Sequence, residues 1–179
     1  TFGTGVGPNG TVFAVAVYPT NDLHAGKVII GGEFTTVKGI ARNHIARLHP
    51  DGSLDLALDP GAGANDTVRA VAIQLDGRVV IGGSFTNVNG TARGRLARLD
   101  SSGALDTVFM GAVEGGNLDV TSISIQFDGK VIVAGEFTTF NSVSRNRITR
   151  LYRNGKTDPT INFGEGANDI INATVIQQD

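Results

Sequence analysis

The chain has no cysteine, no tryptophan, one methionine and only five prolines in 179 residues. Without cysteine there are no disulfides, thiolate metal ligands or thiol nucleophile. No apolar run approaches the roughly 18 residues that a membrane-spanning helix needs. Neither sign of charge is in excess. Fifteen basic and 17 acidic residues give a net charge of −2, which offers no basic field to nucleic acid and makes no acidic tail. No stretch carries apolar residues at helical spacing. A hydrophobic content of 40% and a mean hydropathy of +0.03 exclude disorder and point to a globular chain, long enough for one domain or part of a larger one.

Glycine, by contrast, is abundant, at 25 residues. It falls in a pattern that organises the whole chain. Lys27-Val28-Ile29-Ile30-Gly31-Gly32-Glu33-Phe34-Thr35-Thr36 returns as Arg78-Val79-Val80-Ile81-Gly82-Gly83-Ser84-Phe85-Thr86-Asn87. It returns again as Lys130-Val131-Ile132-Val133-Ala134-Gly135-Glu136-Phe137-Thr138-Thr139. Phe34, Phe85 and Phe137 are 51 and 52 residues apart, the fixed period of a repeat protein.

Each period begins with an alternating, β-branched run that reads as a strand: Val12 to Tyr18, Val68 to Gln74, Val120 to Gln126 and, once more, Ile171 to Gln177. Asp76-Gly77 and Asp128-Gly129 then predict type I′ hairpin turns, while the first copy carries five extra residues within Pro19 to Gly26. The glycine-glycine-phenylalanine strand follows, then a polar link (Val37-Lys38-Gly39, Val88-Asn89-Gly90, Phe140-Asn141-Ser142). A third strand comes next (Ile45 to Leu48, Leu96 to Leu99, Ile148 to Leu151). A turn then leads to a short fourth strand around Leu54, Leu105 and Thr157.

The predicted fold class is therefore all-β, with four-stranded antiparallel units of about 51 residues, the signature of β-propeller blades. A β-solenoid ranks second. Residues 1–179 read as one repeat domain. Residues 1–18 are the end of a preceding repeat plus a first strand, 19–74, 75–126 and 127–177 are three repeats, and 178–179 start a further one. Asp179 aligns with Asp76 and Asp128, mid-hairpin. The expectation is a partial propeller, a window on a longer array completed by missing sequence or by another chain.

The run Val68-Arg69-Ala70-Val71-Ala72-Ile73-Gln74-Leu75-Asp76-Gly77-Arg78-Val79-Val80-Ile81-Gly82-Gly83-Ser84-Phe85-Thr86, with the later Asn-Gly, Arg-Asn, Ile-Ala-Arg-Leu and Asp-Gly-Ser-Leu-Asp elements, resembles the bacterial delta-60 repeat. The resemblance extends over essentially the whole chain. It implies a propeller-like repeat from large secreted or surface-attached bacterial proteins, without a defined enzymatic activity. Ala134 in place of a glycine and the insertion in the first hairpin depart from the pattern.

Arg47, Arg98 and Arg150 are each followed eight residues on by an aspartate: Asp55, Asp106 and Asp158. Across a hairpin these pairs can meet as charge-assisted hydrogen bonds, so they are read as structural ion pairs rather than as ligand-binding arginines. Arg42, Arg93 and Arg145 precede the third strand and are read as anchors for the preceding loop through its carbonyls. The glycine-rich stretches 61–65 and 164–168 have no helix after them to favour phosphate, and read as crossovers between blades. Asp59, Asn65, Asp66, Glu165 and Asp169 are oxygen donors suited to calcium, but no calcium-loop spacing is present. No cofactor is expected, with calcium the alternative. His24, His44 and His49 form no triad or metal spacing, so no catalytic residue is assigned.

The leading functional expectation is a noncatalytic extracellular or cell-surface repeat module, a scaffold or protein-interaction platform whose partners are further repeats and surface proteins or glycans. A carbohydrate-binding propeller is the alternative. Against it stand the missing tryptophan and the recurrent phenylalanines, which read as core. A third reading is a propeller enzyme with its active site outside this stretch. Asn9, Asn65, Asn89 and Asn172 head glycosylation sequons that matter only in a eukaryotic secretory route.

Overall fold

The computed structural model describes residues 7–110, 114–161 and 163–177. Strand β1 (Val12–Val17) turns into β2 (Val28–Gly32), a small hairpin β3 (Thr36–Val37) and β4 (Ile40–Ala41) follows, and β5 (Ile45–Leu48) completes the first unit. The second unit repeats this as β6 (Val68–Ile73), β7 (Val79–Gly83), β8 (Asn87–Val88), β9 (Thr91–Ala92) and β10 (Leu96–Leu99). The third does so as β11 (Val120–Ile125), β12 (Val131–Gly135), β13 (Thr139–Phe140), β14 (Val143–Ser144) and β15 (Ile148–Leu151). No helix occurs among the described residues. Among the described residues the longer strands form three three-stranded antiparallel sheets, ordered β1-β2-β5, β6-β7-β10 and β11-β12-β15, and the link hairpins form a two-stranded sheet each. A period counted from the turn, such as 19–74, takes its first strand from the sheet that follows.

Three local features differ from the sequence reading. The fourth strand shrinks to single bridges, Leu48 to Leu54, Leu99 to Leu105 and Leu151 to Thr157. The aspartate after each bridge accepts the N–H two residues on (Ala57, Val108 and Thr160, all 2.9 Å), which bends the chain out of the ladder. The Asp-Gly turns are not type I′. Gln74 closes on Arg78 across a three-residue loop, Gly77 N–H bonds to Gln74 O at 2.9 Å, and only the glycine has positive φ, 78° at Gly77 and 79° at Gly129. This is a type I turn with a glycine bulge, favoured by the Asp76 carboxylate, which accepts Arg78 N–H at 3.2 Å. The type I′ turns lie instead in the polar links, where both central residues have positive φ: Lys38 and Gly39, Asn89 and Gly90, Asn141 and Ser142.

The fourth copy of the first strand, residues 170–177, forms no ladder among the described residues. It runs along β11, held largely by side-chain hydroxyls. Thr121 Oγ1 donates to Ile171 O at 2.5 Å, Thr174 N–H donates to Ser122 Oγ at 2.9 Å, and Ser124 Oγ donates to Thr174 O at 3.0 Å.

Much of the apolar core lies between sheets, while Ile30, Phe34, Val37, Ala46 and Leu48 form a cluster within the first unit. Tyr18 and Ile29 of the first unit pack with Val68, Val79, Ile81 and Phe85 of the second. Ala70, Val80 and Leu96 of the second pack with Val120, Val133 and Phe137 of the third. Central strands β7 and β12 are buried along their whole length, which is why their sequences are apolar without alternation. This succession of face-to-face sheets, with β1, β6 and β11 side by side, is a propeller arrangement, open at its ends.

The two glycines of each central strand answer to different neighbours. A Cβ on Gly32, Gly83 or Gly135 would lie 2.0, 2.0 and 2.1 Å from the carbonyl oxygen of Thr11, Thr67 and Asp119, at the bulge that recurs in each first strand. A Cβ on Gly31 or Gly82 would meet valines of the next unit, at 2.6 Å from Val68 and 2.5 Å from Val120. The third unit has Ala134 there. The segment alongside that unit is 170–177, with Thr174 where the other copies have Val71 and Ile123.

Gly82→Ala is therefore expected to overpack the joint between units two and three. The β-branched Val120 cannot swing aside, so a loss of about 1–3 kcal/mol is predicted. Urea unfolding checks this, and an unchanged midpoint contradicts it.

Candidate functional site

The recurrent arginines sit on the third strand of each unit, and a three-residue turn brings the aspartate opposite. The backbone closes the pair first. Asp55, Asp106 and Asp158 donate N–H to the carbonyls of Arg47, Arg98 and Arg150 at 2.8 Å each. The side chains then meet at Nε to Oδ2 distances of 2.7, 2.9 and 2.9 Å. A basic residue that opens the central strand completes the group: Lys27 at 2.8 Å from Asp55, Arg78 at 3.8 Å from Asp106 and Lys130 at 3.7 Å from Asp158. All six residues named from the eight-residue spacing are thus brought together in pairs.

Burial alone would raise the Asp55 carboxyl. Lys27, the Ala57 N–H and Arg47 outweigh it and hold the group well below the usual carboxylate range. Asp106 is lowered in the same way against its burial, by the Val108 N–H and Arg98. Asp158 is lowered by the Thr160 hydroxyl and N–H, Tyr152 and Arg150, again against burial.

The same arginines also reach out of their own unit. Arg47 Nη1 donates to Ser101 O at 2.9 Å, and Arg98 Nη1 donates to Arg153 O at 2.7 Å, each in the corresponding turn of the next unit. Arg98 also covers the Phe109 ring at 4.4 Å and donates to Gln74 Oε1 at 3.1 Å. In the third unit Arg150 Nη2 donates to Thr160 Oγ1 at 3.0 Å, within its own unit. Arg42, Arg93 and Arg145 donate to the carbonyls of Ala41, Ala92 and Ser144. Burial pushes Arg93 below the ordinary guanidinium range.

Two further sets of residues have roles that the sequence reading did not assign. Asn9, Asn65 and Asn117 each cap a link hairpin. The Asn65 side-chain oxygen, for instance, accepts both Thr86 N–H and Asn87 N–H at 2.9 Å. The recurrence of this asparagine before every first strand was the available signal. The second set is on the rim where the central strands end. His44, Arg95 and Arg147 occupy one aligned position and all have left-handed backbone, φ 66°, 63° and 67°. Their carbonyls accept the N–H of Gly32, Gly83 and Gly135. At the joint between units two and three, Asp119 accepts Ser84 Oγ at 2.5 Å and Arg69 Nε at 3.2 Å, with Arg95 Nε 3.7 Å away. Arg147 donates to Glu136 O.

The oxygen donors considered for calcium are dispersed. Asn65 caps a hairpin, Asp59 accepts Gly61 N–H at 3.0 Å, Asp66 accepts Thr67 N–H at 2.6 Å and Asp169 accepts Ile170 N–H at 2.7 Å. Among the described residues no three His, Asp or Glu side chains gather in metal-binding geometry. The histidines are likewise separate: His24 lies 3.2 Å from Asp22 in the inserted turn, His44 Nδ1 is 3.1 Å from Gly32 O, and His49 is 3.8 Å from Asp55.

Arg98→Ala takes the guanidinium away from Asp106, which keeps the Val108 N–H, and from the Arg153 carbonyl. A loss of roughly 3–5 kcal/mol is expected on thermal or urea unfolding, the usual cost of breaking a buried pair. A loss under about 1 kcal/mol, the range of an exposed pair, contradicts a structural role for the Arg98–Asp106 pair. A pH dependence follows from the lowered carboxyls. The unfolded chain takes up protons at higher pH than the folded one, so the contribution of Asp55, Asp106 and Asp158 is complete above the ordinary carboxylate pKa of about 4. It is lost as pH falls below that value. The urea midpoint should therefore drop from about pH 5 to pH 3, and Asp106→Asn should flatten that slope.

Residues 26–57, 74–109 and 126–160 each match one protein family, described as a domain of unknown function (DUF5122), beta-propeller. A search of curated proteins returned no match.

Proposed function

The chain belongs to this DUF5122 β-propeller family, its matched stretches covering more than half its length, and from that premise we propose that it is a noncatalytic repeat module. Its role is that of a rigid scaffold or protein-interaction platform at the outside of a bacterial cell. The finer assignment to the delta-60 repeat, and with it secretion or surface attachment, is part of this proposal. It is supported by the recurrence of the full unit pattern in three copies.

One observation carries the scaffold reading: the charged residues that recur in every unit are occupied in building the array. Arg47 and Arg98 each bridge the aspartate of their own unit and a carbonyl of the next. Chemistry repeated in this way sets register and spacing, which is what a stacked repeat needs. The surface left to partners is the varied part of each unit, such as the inserted turn at Pro19 to Gly26 with its exposed Leu23.

A membrane-impermeant, amine-reactive cross-linker applied to intact source cells tests the proposal, with Lys38 and Lys156 exposed to react. The expected outcome is a cross-linked product joining the chain to a neighbouring surface protein. Recovery of the chain unmodified from intact cells, with reaction only after lysis, overturns the surface assignment.

A further inference from the structure

We propose that the cleft between units two and three, at the end where first and central strands turn, binds a small aromatic carboxylate. This is a ligand site in addition to the scaffold role. The cleft has a volume of about 350 Å³, within the range of small-molecule sites, and is lined by Gln74, Arg78, Arg98, Gly129, Arg153 and Asn154. It turns on Arg153, a cation that the other units lack, with Pro50 and Ser101 at the aligned positions.

The joint between units one and two shows what fits there, because the chain fills the same place with its own side chains. Tyr18, which aligns with Gln74, is buried. Its hydroxyl donates at 3.3 Å to the carbonyl of Gly77, the counterpart of Gly129, and its ring centroid lies 5.8 Å from the Arg47 guanidinium carbon. The inserted turn adds a carboxylate. Asp22 Oδ1 accepts His24 N–H at 2.7 Å, and Oδ2 rests against Gly77, 3.1 Å from where a Cβ would stand. A phenol and a carboxylate thus occupy this place in the first joint.

The second joint supplies neither group. The turn between β6 and β7 lacks the insertion, and Gln74 is drawn to Arg98, its Oε1 accepting from Nη1 at 3.1 Å. Over Gly129 lies the Arg153 guanidinium, where the first joint has the Asp22 carboxylate over Gly77. Arg153 Nε donates to Asp128 O at 2.7 Å, and among the described residues no carboxylate pairs with this side chain. Arg98 is offset by Asp106 at 2.8 Å and Arg78 by Asp76 at 3.1 Å. One positive charge is left over, which suits a monoanion, and a guanidinium fork matches a carboxylate in two-point contact. A ring beside Arg98, as Tyr18 is beside Arg47, gains a cation–π contact, and the exposed Leu75 on the cleft wall gives it apolar cover.

Titration of the isotope-labelled chain with para-hydroxyphenylacetate, followed by amide chemical shifts, reads this out. Saturable shifts are expected at Gly129, Arg153 and Asn154, and the uncharged para-hydroxyphenylacetamide should leave them in place. Arg153→Gln removes the unpaired cation from an exposed position. It should keep the parent melting temperature and weaken binding about tenfold or more. Gln74→Tyr copies the filled joint and should abolish binding at the parent melting temperature; if it melts early, Arg153→Gln alone decides. The inference is overturned by a parent chain without saturable shifts, by an equal response to the amide or to inorganic phosphate, or by unchanged affinity in either folded variant. Each of those results leaves the scaffold reading and its cross-linking test untouched.

Discussion

A sheet whose central strand carries apolar side chains on both faces has no stable form alone in water. Both faces must be covered, and the middle sheet here is covered by a unit on each side. Much of the core of this chain therefore lies in its joints, and the joint governs the rest. It explains the burial of β7 and β12 along their whole length. It also explains why glycine or alanine stands opposite valine and isoleucine, since two sheets come close only where one of them lacks side-chain bulk.

Electrostatics serves the joint as well. Burying a guanidinium is costly unless its donors find partners, and Arg47 and Arg98 meet that demand from two sources at once. The carboxylate comes from the same hairpin, so its position follows from the turn. The carbonyl comes from the following unit, so the arginine is satisfied only when that unit is in place. Local register and unit-to-unit spacing are thereby held by one side chain.

The all-β architecture, the period and the arginine–aspartate pairing were legible from residues alone. Each depends on local rules: strand alternation, turn chemistry, and a spacing of eight across a three-residue turn. What was missed has physical reasons too. Asp-Gly and Asn-Gly are similar hairpin signals, and which adopts type I′ depends on where the flanking strands close. Gln74 closes on Arg78, but Val37 closes on Ile40. The fourth strand read as a strand by composition, yet the aspartate side chain after its bridge competes for backbone N–H and bends it away. The left-handed backbone at His44, Arg95 and Arg147 carried no glycine to announce it.

By itself the sequence determined what repeats and how each unit pairs with itself, because hydrogen bonding within a hairpin joins residues close in the chain. Only the tertiary structure decided what the repeated residues touch beyond their unit. The acceptor for Arg47 is the carbonyl of Ser101, 54 residues away, and a backbone carbonyl is common to every residue. Nothing in the side-chain sequence can mark it until the sheets are stacked.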